Sequence, residues 1–242
     1  MSPLHLIIFL FIGHSNMNGH CASMDVLPAP HVWIYKNGEF KNGTDKDYGG
    51  DNNQSGSVVM PFLKRMALMY PDYNFAGIKM ASSCAQAFHR HPGEARYDFF
   101  VKQIRELQAK GATIGGVLMM YGFIEGQFKE SVDSLHAKIP QLIENIRGDV
   151  GNKKLPVLLG RYEEYADGHD IPQYHKWDHE VISQINSMPA LVENLALCPR
   201  QPIPREYYCD NHHYDSQGYQ VWANDAVSII MYSGFDFWNK NK

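Results

Sequence analysis

The 242-residue chain has little of what marks several functional classes. It has no Lys/Arg-rich stripe and a formal net charge of −4, which argues against nucleic acid as a partner. No block of like charges occurs, and charged residues make up 20%, which argues against a disordered tail. There is no internal repeat and no low-complexity tract. No G-x-G-x-x-G follows a strand and no P-loop is present, so nucleotide cofactors have no motif to bind them. No apolar run is long enough to span a bilayer. The apolar start, Met1 to Ile12, has no Lys or Arg ahead of the run and no small-residue cleavage site before Gly13. It reads as the first β-strand of the fold rather than a leader. Cysteine is scarce: Cys21, Cys84, Cys198 and Cys209 include no C-x-x-C pair, which excludes a zinc knuckle or a thioredoxin-type motif. Cys198 and Cys209 bracket a Pro-rich loop, and a disulfide between them and two free thiols both fit the sequence.

What is present suits one enzyme-sized unit. Hydrophobic residues at 44% over this length support one sizeable core, and residues 1–242 read as a single domain. Aromatics at 12% fit core packing and also a carbohydrate-facing surface. The organising stretch is Leu4 to Gly19. A buried apolar strand ends abruptly in Gly13-His14-Ser15-Asn16, which is how α/β hydrolytic enzymes expose a nucleophilic oxygen. Ser15 is the candidate for that oxygen.

A long irregular stretch follows to about Gly56. It contains a short strand, His31 to Tyr35, that ends at the Asn37-Gly38 turn. A loop of this length inside a compact domain usually wraps a site. Helical spacing then covers Ser57–Tyr70, Tyr97–Lys110, Val132–Arg147 and Ile171–Met188, the last with Pro172 in its first turn. Asp215 or Ser216 can cap a final helix through about Met231. Apolar strands cover Asn74–Met80, Thr113–Tyr121, Leu155–Gly160 and Leu191–Leu197. Strands alternating with helices predict an α/β, three-layer α/β/α sandwich with a doubly wound, mainly five-stranded parallel sheet. In such folds the ligand crevice lies beyond the strand C-termini. Ser15, the Ser82–Cys84 turn and the Gly122 turn all fall there.

A serine hydroxyl is a weak nucleophile until a base takes its proton, and the base must be held in orientation. Asp210-Asn211-His212-His213-Tyr214 offers both: Asp210 and His213 lie on one loop just before a helix. His212 is an alternative base. Other histidines and carboxylates have plainer readings. His175 and His179 share a predicted helix face, but no third metal ligand is evident, so the pair reads as a solvated face. His89-Arg90-His91 reads as a surface loop, and Glu163 and Glu164 as a solvated pair. Trp33, Trp177 and Trp238 could stack on sugars, whereas Trp222 reads as core.

Gly13-His14-Ser15-Asn16-Met17 resembles the G-Q-S-N-M signature of the sialate O-acetylesterases and carbohydrate esterase family six, within the SGNH (GDSL-like) hydrolase superfamily. Asp210-x-x-His213-Tyr214, followed by Gly218-Tyr219, resembles that family's closing D-x-x-H block. The resemblance implies a flavodoxin-like fold and a serine esterase that removes O-acetyl groups from a carbohydrate, with no metal or other cofactor. It also implies a secreted or periplasmic location, and the charge pattern and short apolar runs give no reason to expect a nucleic-acid or membrane partner. Carried over, Ser15 is the nucleophile, His213 the general base and acid, and Asp210 its orienter.

The middle blocks depart from the family pattern. Ser82-Ser83-Cys84-Ala85 stands where a Gly-Gly-Thr-like turn is usual, so a positive φ there would be strained. Tyr121-Gly122-Phe123-Ile124-Glu125 stands where Gln-Gly-Glu-x-Asp is usual, so the side-chain amide that helps hold the oxyanion is replaced by Tyr121. His14 replaces the Gln of the first block. The expected oxyanion hole is then the Ser15 N–H, an N–H at Ser83 or Cys84, the Tyr121 hydroxyl and the Gly122 turn. Losing one oxyanion donor costs about 10²–10³ in rate, whereas losing nucleophile or base costs on the order of 10⁶. An altered but working enzyme is therefore the primary expectation. A non-catalytic carbohydrate-binding protein on the same scaffold is the rival, and a lipid or thioester substrate is a third reading.

Overall fold

The structure is a computed structural model that describes residues 5–21, 27–36, 38–44, 56–162, 176–210 and 212–238. The first strand, β1 (His5–Gly13), is buried from Ile7 onward. It shows no polar alternation because both of its faces are covered. Ile8, Leu10 and Ile12 enter one core cluster, while Ile7, Phe9 and Phe11 enter the other.

The remaining strands are β2 (Val32–Lys36), β3 (Glu39–Lys41), β4 (Tyr73–Ala81), β5 (Thr113–Met120), β6 (Val157–Gly160) and β7 (Leu195–Cys198). Among the described residues they form one seven-stranded sheet in the order β3-β2-β4-β1-β5-β6-β7. The five expected parallel strands are β4-β1-β5-β6-β7. The sheet is larger than expected because the irregular stretch adds two strands at the β4 edge. There β2 pairs parallel with β4, and β3 turns back antiparallel on β2.

Among the described residues the α-helices are the single turn α1 (Ser15–Asn18), then α2 (Val59–Met69), α3 (Ala95–Ala109), α4 (Lys129–Val150), α5 (Asp178–Leu191) and α6 (Ser216–Tyr232). The apolar faces of α2 and α6 cover one side of the sheet, and α3, α4 and α5 cover the other. Capping explains several of the boundaries. The Glu94 carboxylate accepts from Arg96 N and Tyr97 N at the start of α3. Asp215 accepts from Gln217 N and Gly218 N at the start of α6, as expected of an N-cap aspartate. Helix α4 runs past Gly148 and stops at Gly151, whose φ of 74° ends the helix in the left-handed conformation. Strand β7 starts later than expected: Leu191 ends α5 and is exposed, and Asn194 turns the chain at a φ of 55°. The expected start of α5 at Ile171 and Pro172 lies outside the described residues.

Strand β1 lies between β4 and β5, so the chain leaves it toward one edge and later crosses back over it. The crevice such a reversal opens is at the C-terminal end of β1. Gly13 makes that end possible: at a φ of 151°, a Cβ there would sit 2.3 Å from Met120 O. The three strand ends are laced together by His14 N donating to Met120 O (3.2 Å) and Ser82 N donating to Gly13 O (3.2 Å).

Candidate active site

Ser15 opens α1 immediately after β1, and its side chain is buried. Its Oγ lies 2.8 Å from His213 Nε2, a contact across 198 residues of sequence. His213 Nδ1 lies 2.6 Å from Asp210 Oδ2. The other oxygen, Asp210 Oδ1, accepts from the backbone N–H groups of His212 (2.8 Å) and His213 (2.7 Å). Burial alone would raise the Asp210 pKa. The His213 ring and those two N–H groups outweigh it and hold the carboxyl well below the usual carboxylate range. An ionised carboxylate only accepts, so Nδ1 of His213 carries the proton and Nε2 is left to accept from the Ser15 hydroxyl. Of the two candidate bases, His213 is the one hydrogen-bonded to Ser15. His212 turns its ring onto Phe123, with centroids 4.4 Å apart and planes within 8°.

Asn16 joins the two ends of the chain. Its Oδ1 accepts from Tyr214 N (3.0 Å) and from the Tyr219 hydroxyl (3.2 Å), and its Nδ2 donates to His212 O (3.0 Å). This explains physically why an asparagine follows the serine, a role that the motif carries but local sequence does not explain. His14 caps α1 by accepting from Asn16 N at 3.4 Å. Burial, then the neighbouring His213 and His212, lower its pKa to about 3, so its ring is neutral.

The expected oxyanion donors have different fates. Among the described residues, no acceptor meets the N–H of Ser15 or of Cys84. Cys84 has a φ of 58°, so the strain foreseen for a side chain in this turn is present there, with its thiol exposed. Ser83 sits half-buried in the same turn. Gly122 requires correction: its N–H donates to Glu125 Oε2 (2.9 Å) and is not an open donor. Tyr121 requires correction too. It continues the alternation of β5, following Met119 into the core under α3 and α4, while Met120 faces the other side. Its hydroxyl is buried without a hydrogen-bond partner among the described residues. Burial, then the adjacent Glu125, push its pKa up. Glu125, itself fully buried, takes Ala87 N on Oε1 and Gly122 N on Oε2, each at 2.9 Å, and so ties the second block to the third. Its pKa is raised by burial against those N–H donors.

The cysteine expectation also changes. Cys209 is joined to Cys21, with Cα atoms 6.4 Å apart, and not to Cys198. Cys198 is buried at the end of β7, where its thiol donates to Trp222 O at 3.7 Å. Arg90 is buried rather than on an open loop, and its Nη2 donates to Ser82 Oγ at 3.1 Å, bracing the second-block turn. His91 is exposed, Trp222 is core as expected, and Trp238 is buried with it. Trp33 donates to Asn74 Oδ1, and Trp177 lies under Lys129 and Lys176. His179 is exposed on α5, whereas His175, Glu163 and Glu164 lie outside the described residues. His20, Asp210 and His213 bring three ligand-type atoms within 4.8 Å. The His20 and His213 rings are stacked, however, so their in-plane lone pairs run alongside each other rather than converge as a metal centre needs.

A family model described as carbohydrate esterase, sialic acid-specific acetylesterase, matches residues 5–222. The chain belongs to that family. The esterase is accordingly a carboxylic-ester hydrolase of the carbohydrate acetylesterase kind. Solved structures share its fold at low sequence identity. A protein of Arabidopsis thaliana superposes with a TM-score of 0.72 at 15% identity, over 95% of the esterase and 98% of that chain. NanS gives 0.73 at 12% identity, over 96% and 98%. A carbohydrate acetylesterase from Xanthomonas citri gives 0.63 at 10% identity, over 97% of the esterase and 57% of that longer chain. No curated protein matches the esterase significantly in sequence.

Proposed function

We propose that the esterase removes O-acetyl groups from a carbohydrate through a Ser15–His213–Asp210 triad and an acyl-enzyme, with residues 1–242 acting as one catalytic domain. The observation that carries this reading is the 2.8 Å contact between Ser15 Oγ and His213 Nε2, continued to Asp210. His213 takes the Ser15 proton as Oγ attacks the ester carbonyl. The tetrahedral oxyanion accepts from the Ser15 N–H and from the second-block turn at Ser83 and Cys84. His213 then gives its proton to the departing sugar oxygen, and the acetyl group stays on Ser15. Water, deprotonated by His213, releases acetate and restores the serine. Asp210 stays ionised throughout and holds the tautomer that this sequence of transfers needs. The family match and the Xanthomonas citri acetylesterase support an acetylated sugar as the substrate class.

The test is hydrolysis of an activated acetyl ester, and then of an O-acetylated sialic acid, by wild type and Ser15→Ala. The expected loss in kcat is on the order of 10⁴- to 10⁶-fold. Equal rates would overturn the triad. A serine-directed phosphonate should also label Ser15; sugar binding with neither label nor turnover would favour the non-catalytic carbohydrate-binding reading.

A further inference from the structure

We propose that His20, held by the Cys21–Cys209 disulfide, is a positioning residue for His213, so that turnover depends on the oxidised disulfide. This rests on the triad reading above. The His20 ring stacks on the His213 ring with centroids 3.7 Å apart and planes within 14°. The two half-cystines adjoin the two groups that matter: Cys21 follows His20, and Cys209 precedes Asp210. One covalent link therefore ties the residue that faces the base to the residue that orients it.

The first side of the clamp is anchored on the body of the fold. His20 N donates to Gly56 O (3.2 Å), and Gly56 N donates to Cys21 O (2.8 Å), closing an antiparallel bridge. Across the disulfide, Cys209 N donates to His213 O at 2.9 Å. On its other flank the loop is held by Asn16 through His212 O and Tyr214 N. Remove the disulfide and the Asp210 side of the loop loses its covalent anchor, while the Tyr214 side keeps its hydrogen bonds to Asn16.

The stack acts on the ring itself. His213 must keep Nδ1 on Asp210 and Nε2 on Ser15 together, and tilting the ring breaks one contact. A parallel imidazole at 3.7 Å blocks tilt toward that face. It also places a π face against the positive charge that His213 gains on taking the serine proton. Among the described residues, the titratable and charged groups around that ring are Asp210, His212, His14 and His20. Misplacing a catalytic group by about 1 Å costs on the order of 10²-fold.

Reduction by a dithiol such as dithiothreitol delivers two electrons and two protons to the Cys21–Cys209 bond. It yields two thiols while the reagent closes to its own cyclic disulfide. The experiment measures kcat and KM on an activated acetyl ester for wild type with and without dithiol, H20A, H20F, C21S/C209S and S15A. In H20A, kcat should fall about 10- to 100-fold, with KM within about twofold. H20F, which restores a flat ring without restoring an imidazole, should recover most of that loss. Wild type under dithiol and C21S/C209S should fall together, and the double variant should no longer respond to dithiol. H20A with wild-type kcat, or H20A and H20F falling equally, would overturn the clamp, and neither variant touches the disulfide. An inactive S15A beside a fully active H20A would reject the clamp alone, whereas a fully active S15A would reject the triad beneath it.

Discussion

Asn16 Oδ1 accepts the backbone N–H of Tyr214 at 3.0 Å, so the residue after the serine holds the residue after the histidine. The 2.8 Å contact between Ser15 and His213 thus depends on side-chain hydrogen bonds made one residue further along each strand of the site. Removing them should change geometry before it changes chemistry.

Asn16→Ala leaves a buried backbone N–H, the Tyr219 hydroxyl and the His212 carbonyl without this partner. A buried polar group left unsatisfied costs about 1–3 kcal/mol. The variant should melt several degrees lower and lose about 10- to 100-fold in kcat, while Tyr219→Phe, which removes one hydroxyl, should lose little of either. Thermal melts and steady-state kinetics on the two variants check this; equal behaviour would show that Asn16 does not position the loop.

The esterase should lose stability as pH falls below about 6.5, and His14 should be a cause. With a folded pKa of about 3 against an ordinary value of 6.5, the unfolded chain binds more protons at His14 across that window. The sign is therefore a loss of stability on acidification, with a slope of up to about 1.36 kcal/mol per pH unit. Asp210 adds the same sign lower down. Its carboxyl is depressed in the fold, so its contribution is present above the ordinary carboxylate range and fades as pH falls through the folded value. Urea midpoints for wild type and His14→Gln from pH 7 to pH 4 should diverge, the variant giving the flatter curve. Parallel curves would remove His14 from the account.

The thiols should separate cleanly. Cys84 is exposed and should alkylate readily in the native protein. Cys198 is buried, burial pushes its thiol pKa up, and it should react only after denaturant is added. Peptide mapping without reductant should recover Cys21 joined to Cys209. Cys84→Gly should raise stability by about 1 kcal/mol, because glycine adopts a φ of 58° without the cost of a Cβ. A lower melting temperature for that variant would show that the Cys84 side chain makes a compensating contact.

Much of the fold was legible because its signals are local. The apolar start of the chain reads as a buried first strand because its apolar residues run without alternation, and β1 (His5–Gly13) is buried on both faces. Asp215 or Ser216 could cap the final helix by its own chemistry, and Asp215 is the residue that does so. The edge strands read less well: β2 showed its β-branched and aromatic residues, but the three-residue β3 has no pattern long enough to recognise. The direction of Tyr121 is not legible locally because it depends on the parity of β5, and a one-residue difference sends a side chain to the opposite face. The Cys21–Cys209 pairing has no local signal, because Cys198 is near Cys209 in sequence while Cys21, 188 residues away, is near it in space.

The sequence by itself determined the order of strands and helices, the serine at the end of the first strand and the aspartate–histidine pair before the last helix. These follow from short-range periodicity, capping and motif spacing, each written in a few neighbouring residues. Only the tertiary structure decided which histidine meets Ser15, that Gly122 serves Glu125, that His20 stacks on the base and that Cys21 pairs with Cys209. Those outcomes depend on where loops from distant segments land on the sheet, and packing of the whole core sets that position.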